Sequence, residues 1–463
     1  MRPEIMRSPD TTSLPERAWS EGVLATVTGI WLGLALLKFG NPVIFDDKVP
    51  RPESFIQWLI QPWPMALAYA TFVPVAIAGL FVWRWNPRLP KWIVGLPLAW
   101  FCWQLVAATQ TVDVRLTRIT LMHFAVCVVC YYLGLFALSR VRDMTALRLG
   151  WILAYGIVLA IGLEQHFGGL EETRRWFFAY QLPTLKQAPS PEFMRKLASD
   201  RIYSTLFYPN TLAGVILLLT PVAVACLATA VRLTGAVRTV LVGGISLASL
   251  ACLFWSGSKA GWLIALLVTV VAFLEWPIAK SIKAGILCAV IVAGLAGFAV
   301  KYGGYVSRGA RSATSRLDYW RVAVRAITQR PLLGSGPGTF EVIHRQLKSP
   351  QTEMARLAHN DYLQQGSDAG ILGLLGYSTI VVGSVASLYR RRFTSGQNFA
   401  VWLGLFGLAV QGMVEFGLFI PALAWPQFLF LGWLWGQDCH RLPGEPPVIS
   451  SAGCKYCSSM GRI

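Results

Sequence analysis

Apolar residues run along this chain in blocks of about twenty, the length a helix needs to cross a bilayer, with polar residues gathered between them. The blocks predict membrane-spanning helices at 23–39, 65–83, 92–109, 119–138, 149–166, 211–231, 239–255, 261–279, 284–300, 370–389, 398–416 and 418–436. The expected fold is all-α, a polytopic transmembrane helical bundle of about twelve spans. Pro421 and Pro426 interrupt the last apolar run, so the final two spans read either as two crossings or as a re-entrant segment.

Composition supports this reading. Of 463 residues, 55% are hydrophobic and 14% charged, against about a quarter charged in soluble proteins, which excludes an ordinary soluble enzyme. A net charge of +18 would suggest a nucleic-acid partner on a soluble chain; on a membrane protein the charge must first be divided between two sides, and no nucleic-acid partner is expected. Short-loop Lys and Arg stay on the cytoplasmic side. Arg84, Arg88 and Lys91, then Arg140, Arg142 and Arg148, Arg232 and Arg238, Lys280 and Lys283, and Arg390 to Arg392 therefore put residues 1–22 and the tail 437–463 in the cytoplasm. No small-residue cleavage site follows the first block, which reads as an uncleaved span. The domain expected is 23–436, including outward segments 167–210 and 301–369. No cysteine falls in an outward loop, while Cys439, Cys454 and Cys457 lie in the tail. Cys454 and Cys457 form a lone C-x-x-C, either half of a zinc or redox site or part of a solvated tail.

The two outward segments are longer than compact connections require. Residues 301–369 hold ten basic residues against five acids. That balance reads either as an anion site or as a solvated face. Leu317, Trp320, Val324 and Ile327 recur at helical spacing, with Arg321 and Arg325 one turn apart on another face, and Pro331 ends the helix. Gly334-Ser335-Gly336-Pro337-Gly338 lacks the Lys-Ser/Thr of a phosphate loop and follows a helix, so it reads as a tight turn. A further helix through Met354, Leu357 and Leu363 is expected to carry Arg356 and His359 one turn apart. Of five histidines, His344 is expected on an exposed helix, and His123 and His166 near span ends. His359 stands out, close to the membrane surface among basic residues, where a neutral imidazole can serve as a base.

At this point the residues resemble the O-antigen ligase and O-antigen polymerase superfamily of bacterial surface-polysaccharide assembly. His359-Asn360, nine residues, Gly370, two residues and Gly373 are similar to its His-Asn-x9-Gly-x2-Gly signature. Arg316, Trp320, Pro331 to Gly334 and Gly336, Arg201 through Pro209-Asn210-Thr211-Leu212-Ala213, and Ser256-Gly257-Ser258-Lys259-Ala260-Gly261 also match its pattern. The resemblance implies a metal-independent glycosyltransferase with no cofactor, at the periplasmic face of the inner membrane. The donor it implies is a glycan on undecaprenyl pyrophosphate, and the acceptor is a hydroxyl of lipid A-core, of another glycan or of a protein. Its implied site is His359 as general base, with Arg201 and Lys259 on the pyrophosphate; from the basic excess of 301–369, Arg321, Arg325 and Arg356 are expected as further anion ligands. Asn210, Asn360 and Glu415 would be supporting residues. Glu415 is an acid deep in an apolar run, which should pair, line a wet cavity or be neutral. The family usually has Arg where Lys259 stands, and Lys keeps the charge without the bidentate fork; a snorkelling span-end Lys is the other reading.

A ligase transferring to lipid A-core is the leading expectation. A polymerase extending a repeat-unit glycan, or transfer to a pilin, would use the same motifs. A flippase for the same lipid-linked glycan would be expected to show repeated halves, and no internal repeat is present.

Overall fold

The computed structural model describes residues 14–438 except 50, 87–88, 183–193, 195–196, 277, 308–310, 350–351, 392 and 394. Cys439, Cys454 and Cys457 lie outside the described residues, as do the first thirteen. The described chain is helical, without strands. Its long helices are α1 (Leu14–Lys38), α2 (Met65–Val82), α3 (Lys91–Ala108), α4 (Val114–Phe136), α5 (Thr145–Glu164), α6 (Pro209–Ala228), α7 (Gly235–Ser256), α8 (Lys259–Leu274) and α9 (Lys280–Ser307). After these come α10 (Arg311–Gln329), α11 (Phe340–Leu347), α12 (Asp361–Ser378), α13 (Ser384–Arg391), α14 (Gly396–Gln411) and α15 (Pro421–Asp438).

Every expected span falls on a helix, and side-chain caps fix several starts. Asp113 accepts from Leu116 N–H at 2.9 Å and Ser258 from Gly261 N–H at 3.2 Å, each satisfying an amide the first helical turn leaves unpaired. Among the described residues, nine helices are long and apolar enough to cross a membrane, with α8 as a shorter apolar helix. The chain is a multi-pass membrane protein. The three expected spans outside those nine differ for physical reasons. Helices α8 and α14 have 16 residues each, and at 1.5 Å per residue they fall short of the roughly 30 Å hydrocarbon core. Helix α15 carries Pro426, Gln427, Gln437 and Asp438. Both α14 and α15 are buried almost throughout, where protein rather than lipid surrounds Gln427 and receives the Gln437 side chain, whose Nε2 donates to Ser139 O at 2.9 Å.

At the centre α15 packs along α4 at backbone contact. A Cβ on Gly134 would sit 1.9 Å from Leu429 O, and one on Gly432 2.0 Å from Tyr131 O, so only glycine permits this approach at either site. By contrast α9 is exposed or half-exposed along nearly its whole length and is fastened to α8 by Trp262 Nε1–H donating to Gly294 O at 3.0 Å. That outer position suits a lipid-facing helix.

The connections expected outside gather at one end of the bundle. Arg115 pairs with Asp47 at 3.3 Å, Val112 N–H donates to Ser335 O at 2.9 Å, and Thr205 Oγ1 donates to Leu36 O at 2.8 Å. Those expected in the cytoplasm meet at the other end, where Arg84 N–H reaches Phe136 O at 2.9 Å and Gln397 Nε2 reaches Thr229 Oγ1 at 2.9 Å.

Four local expectations are corrected. The buried face of α10 is Tyr319, Val322, Ala323 and Ala326, packed near Phe340, Ala355 and Ala358. Of the expected stripe, Trp320 and Ile327 are half-buried while Leu317 and Val324 are 47% and 48% exposed, because the small alanines and one tyrosine rotate the buried face to one side of that stripe. Residues 352–360 are not helical. The helix starts at Asp361 because Asn360 caps it, accepting from Leu363 N–H at 2.9 Å, so Arg356 and His359 do not share a helical face. His344 is fully buried, and desolvation pushes its pKa down to about 4. His123 lies inside α4, hydrogen-bonded through Nε2 to Leu418 O at 2.8 Å.

Pro331 follows α10 as expected, and the glycine-rich stretch is a tight turn with Gly334, Gly336 and Gly338 at positive φ. It docks where α12 breaks at Ala369 and Gly370, with Ile371 N–H donating to Pro331 O at 2.8 Å.

Candidate functional site

The gathered end of the bundle contains one cluster in which charges from distant segments converge. Its hub is Glu415, which lies in the non-helical turn between α14 and α15, not inside a span as the apolar run suggested. The turn forms because α14 stops at Gln411 and Pro421 opens α15, a position where its missing N–H costs nothing. Glu415 is 6% exposed, and both carboxylate oxygens are engaged. Oε1 pairs with the Arg316 guanidinium of α10 and accepts from Asn210 Nδ2 at 2.6 Å. Oε2 meets His359 Nδ1 at 3.2 Å. Burial pushes the Glu415 carboxyl up, but Arg316, His359 and Arg201 outweigh it and hold the group below the usual carboxylate range. The buried acid therefore stays ionised because it is paired.

His359 precedes the capped start of α12 with φ of 49°, a left-handed conformation uncommon for a non-glycine residue. Several contacts fix it there. Trp320 Nε1–H donates to its carbonyl at 3.3 Å, Tyr319 lies nearly parallel to its ring at 5.8 Å, and Phe416 abuts it edge-on at 4.7 Å. In the neutral ring, an Nδ1–H directed at Glu415 leaves the lone pair on Nε2. The side chain is 30% exposed, so the ring is held firmly yet reachable.

Arg201 joins the cluster from the long connection before α6. Its NH2 donates to Asn210 Oδ1 at 2.8 Å and its Nε to Ser256 O at 2.7 Å. Asn210 thus bridges Arg201 to Glu415, and Gln411 Nε2 holds the Asn210 carbonyl at 2.8 Å. Burial lowers the Arg201 pKa and Glu415 opposes that shift. Arg201 lies over Gly257 (φ 62°), where a Cβ would come within 3.0 Å of Nε. Lys259 begins α8 two residues on, with Nζ 5.2 Å from the Tyr302 ring centre, a cation–π distance.

His359, Arg201, Lys259, Asn210 and Glu415 are therefore brought to one end, and Asn360 joins them through Nδ2 donating to Met413 O at 2.8 Å. Three expected anion ligands are placed elsewhere. Arg321 and Arg325 are exposed on the outer face of α10, with Arg321 paired to Asp318 at 2.7 Å. Arg356 lies 4.8 Å from the Phe45 ring centre and reaches Glu341 at 3.8 Å. Sequence reasoning missed Arg316 as a site residue although it stood in a matched motif. The usable signal was Glu415, a lone acid between apolar runs that needed a cation. Tyr319 and Phe416 carried no signal beyond their apolar character.

A narrow cleft beside the hub is lined by Asn210, Asp361, Gln411, Glu415 and Phe416. Among the described residues no three His, Cys, Asp or Glu side chains come together to hold a metal ion. The arrangement can bind an anion with Arg201, Arg316 and Lys259, and can take a proton at His359 Nε2.

Residues 244–378 match the family model described as O-antigen ligase. The match takes in Lys259, Arg316 and His359 and excludes Arg201, Asn210 and Glu415, which the fold adds to the same cluster. No curated protein matches the chain.

Proposed function

We propose, from the chain's place in the O-antigen ligase superfamily, that it transfers a glycan from undecaprenyl pyrophosphate to a hydroxyl of lipid A-core at the periplasmic face of the inner membrane. The observation that carries this reading is the Glu415 hub, which couples one imidazole to two arginines gathered from three separate segments. In the proposed reaction the acceptor oxygen attacks the anomeric carbon as His359 Nε2 takes its proton. The bond from that carbon to the pyrophosphate oxygen breaks, and undecaprenyl pyrophosphate leaves with the bonding electron pair. Glu415 fixes the His359 tautomer and stabilises the imidazolium that forms, the role a carboxylate plays behind a catalytic histidine elsewhere. Arg201, Arg316 and Lys259 offset the charge developing on the leaving group, where the low-dielectric membrane boundary strengthens each interaction.

The product pattern of a strain lacking the protein tests this. The expected result is polymer held on the lipid carrier with lipid A-core left bare. Single repeat units on lipid A-core would instead mark a polymerase, and an unmodified pilin a protein glycosyltransferase.

Lys259 separates donor binding from proton transfer. A charge-assisted hydrogen bond to a phosphate contributes about 1.5–3 kcal/mol. Lys259→Ala should therefore raise the donor concentration for half-maximal transfer about 10- to 100-fold, and Lys259→Arg should keep most affinity. Identical rate curves across donor concentrations for Lys259→Ala and wild type would remove Lys259 from the donor site.

A further inference from the structure

The His359-Asn360-Asp361 tripeptide does more than present an imidazole, because it grips the turn that bears Glu415 from both sides. Before Glu415, the Asp361 N–H donates to Gly412 O at 2.7 Å and Asn360 Nδ2 holds Met413 O at 2.8 Å. After it, the Asp361 carboxyl group accepts the Leu418 N–H, at 3.2 Å to Oδ1 and 3.1 Å to Oδ2. The Leu418 carbonyl is fixed in turn by His123 of α4 at 2.8 Å. Gly412 leaves room for the carboxyl group, since a Cβ there would lie 3.1 Å from Asp361 Oδ2. Asp361 is 2% exposed and has no place in the proton transfer or the anion cluster, so a buried acid at this point needs another explanation. We propose that Asp361 is a positioning residue, setting the Gly412–Leu418 turn so that Glu415 meets His359 with one oxygen and Arg316 and Asn210 with the other. The inference rests on the reading of His359 as base and deepens it: one tripeptide carries both the base and the device that aligns the base's own partner.

Asn in place of Asp361 keeps the size and one acceptor oxygen but turns an amide N–H₂ toward the turn, shifting it without opening a cavity. A displacement of about 1 Å in a catalytic group can cost about 100-fold in rate. Asp361→Asn in the purified full-length protein should thus lower turnover about 10- to 100-fold, with undecaprenyl-pyrophosphate-linked glycan as donor and lipid A-core as acceptor. The concentration of undecaprenyl pyrophosphate needed for half-maximal binding should stay within about twofold of wild type. In a Glu415→Gln background the same change should alter turnover less than about twofold, because residues acting as one unit are non-additive. Equal losses in both backgrounds, weakened binding with unchanged turnover, or wild-type turnover would overturn the proposal. If Asp361→Asn does not fold, Gly412→Ala presses on the same carboxyl group and should lose turnover only while Glu415 is present; wild-type turnover there is equally decisive against it. His359→Ala separates the two levels. Full activity of that variant would sink the base assignment, whereas an inactive His359→Ala beside a fully active Asp361→Asn would sink only this inference.

Discussion

Replacing His359 by Ala is expected to lower glycan transfer about 10²- to 10⁴-fold, the contribution typical of a positioned general base, while undecaprenyl pyrophosphate binding stays close to wild type. The expectation follows from geometry. His359 engages Glu415 through Nδ1 at 3.2 Å, leaving Nε2 to face an acceptor, and the cations assigned to the donor are held by other residues. Arg201 rests on Asn210 and the Ser256 carbonyl, and Arg316 rests on Glu415. Removing the ring therefore takes away the proton acceptor without dismantling the anion site. The measurement is transfer by purified protein under saturating donor, with pyrophosphate binding followed in parallel. Wild-type turnover would refute the role of base, and loss of binding in step with turnover would reassign His359 to the donor site.

The spans were legible because lipid imposes a strong rule: backbone amides must be satisfied internally over about twenty apolar residues, and each such block became a helix. The site was legible only in pieces. His359, Arg201, Lys259 and Asn210 stood in recognisable local patterns, but the pairing of Arg316 with Glu415 joins residues 99 positions apart, and nothing local announces it. Glu415 looked like part of a span because apolar residues continue on both sides; the turn there is stabilised by tertiary bonds from Asn360 and Asp361. The basic excess of their segment suggests Arg321 and Arg325 as donor ligands, but they stand on the exposed side of α10, whose Tyr319, Val322, Ala323 and Ala326 pack inward. Ala323 and Ala326 pack where Leu317 and Val324 do not, a choice made by the available space between helices and not by hydrophobicity along one of them.

Loss of Arg316 should produce a defect of a different kind from loss of His359. Glu415 is buried, and its ionised form depends first on Arg316 to offset desolvation. Removing one partner of a buried ion pair typically costs about 3–5 kcal/mol, so Arg316→Ala should both abolish transfer and destabilise the protein, whereas Arg316→Lys should recover part of each. Its dependence on pH gives a sharper signature. In the wild type the Glu415 pKa is below its unfolded value of about 4.3, so its stabilising contribution is complete above that pH and lost only as pH falls through the folded value. Without Arg316 the largest influence opposing burial is gone, and the pKa is expected to rise above the unfolded value. The sign then reverses: the variant should be most stable in acid and lose stability as pH rises from about 4.3 through the raised pKa. Thermal unfolding in detergent across pH 4 to 8 would show no Glu415-dependent slope for the wild type and a fall in stability with rising pH for Arg316→Ala, and Glu415→Gln in the same background should remove the variant's slope by removing the titrating group. Parallel pH profiles for wild type and Arg316→Ala would mean that Arg316 is not what keeps Glu415 charged.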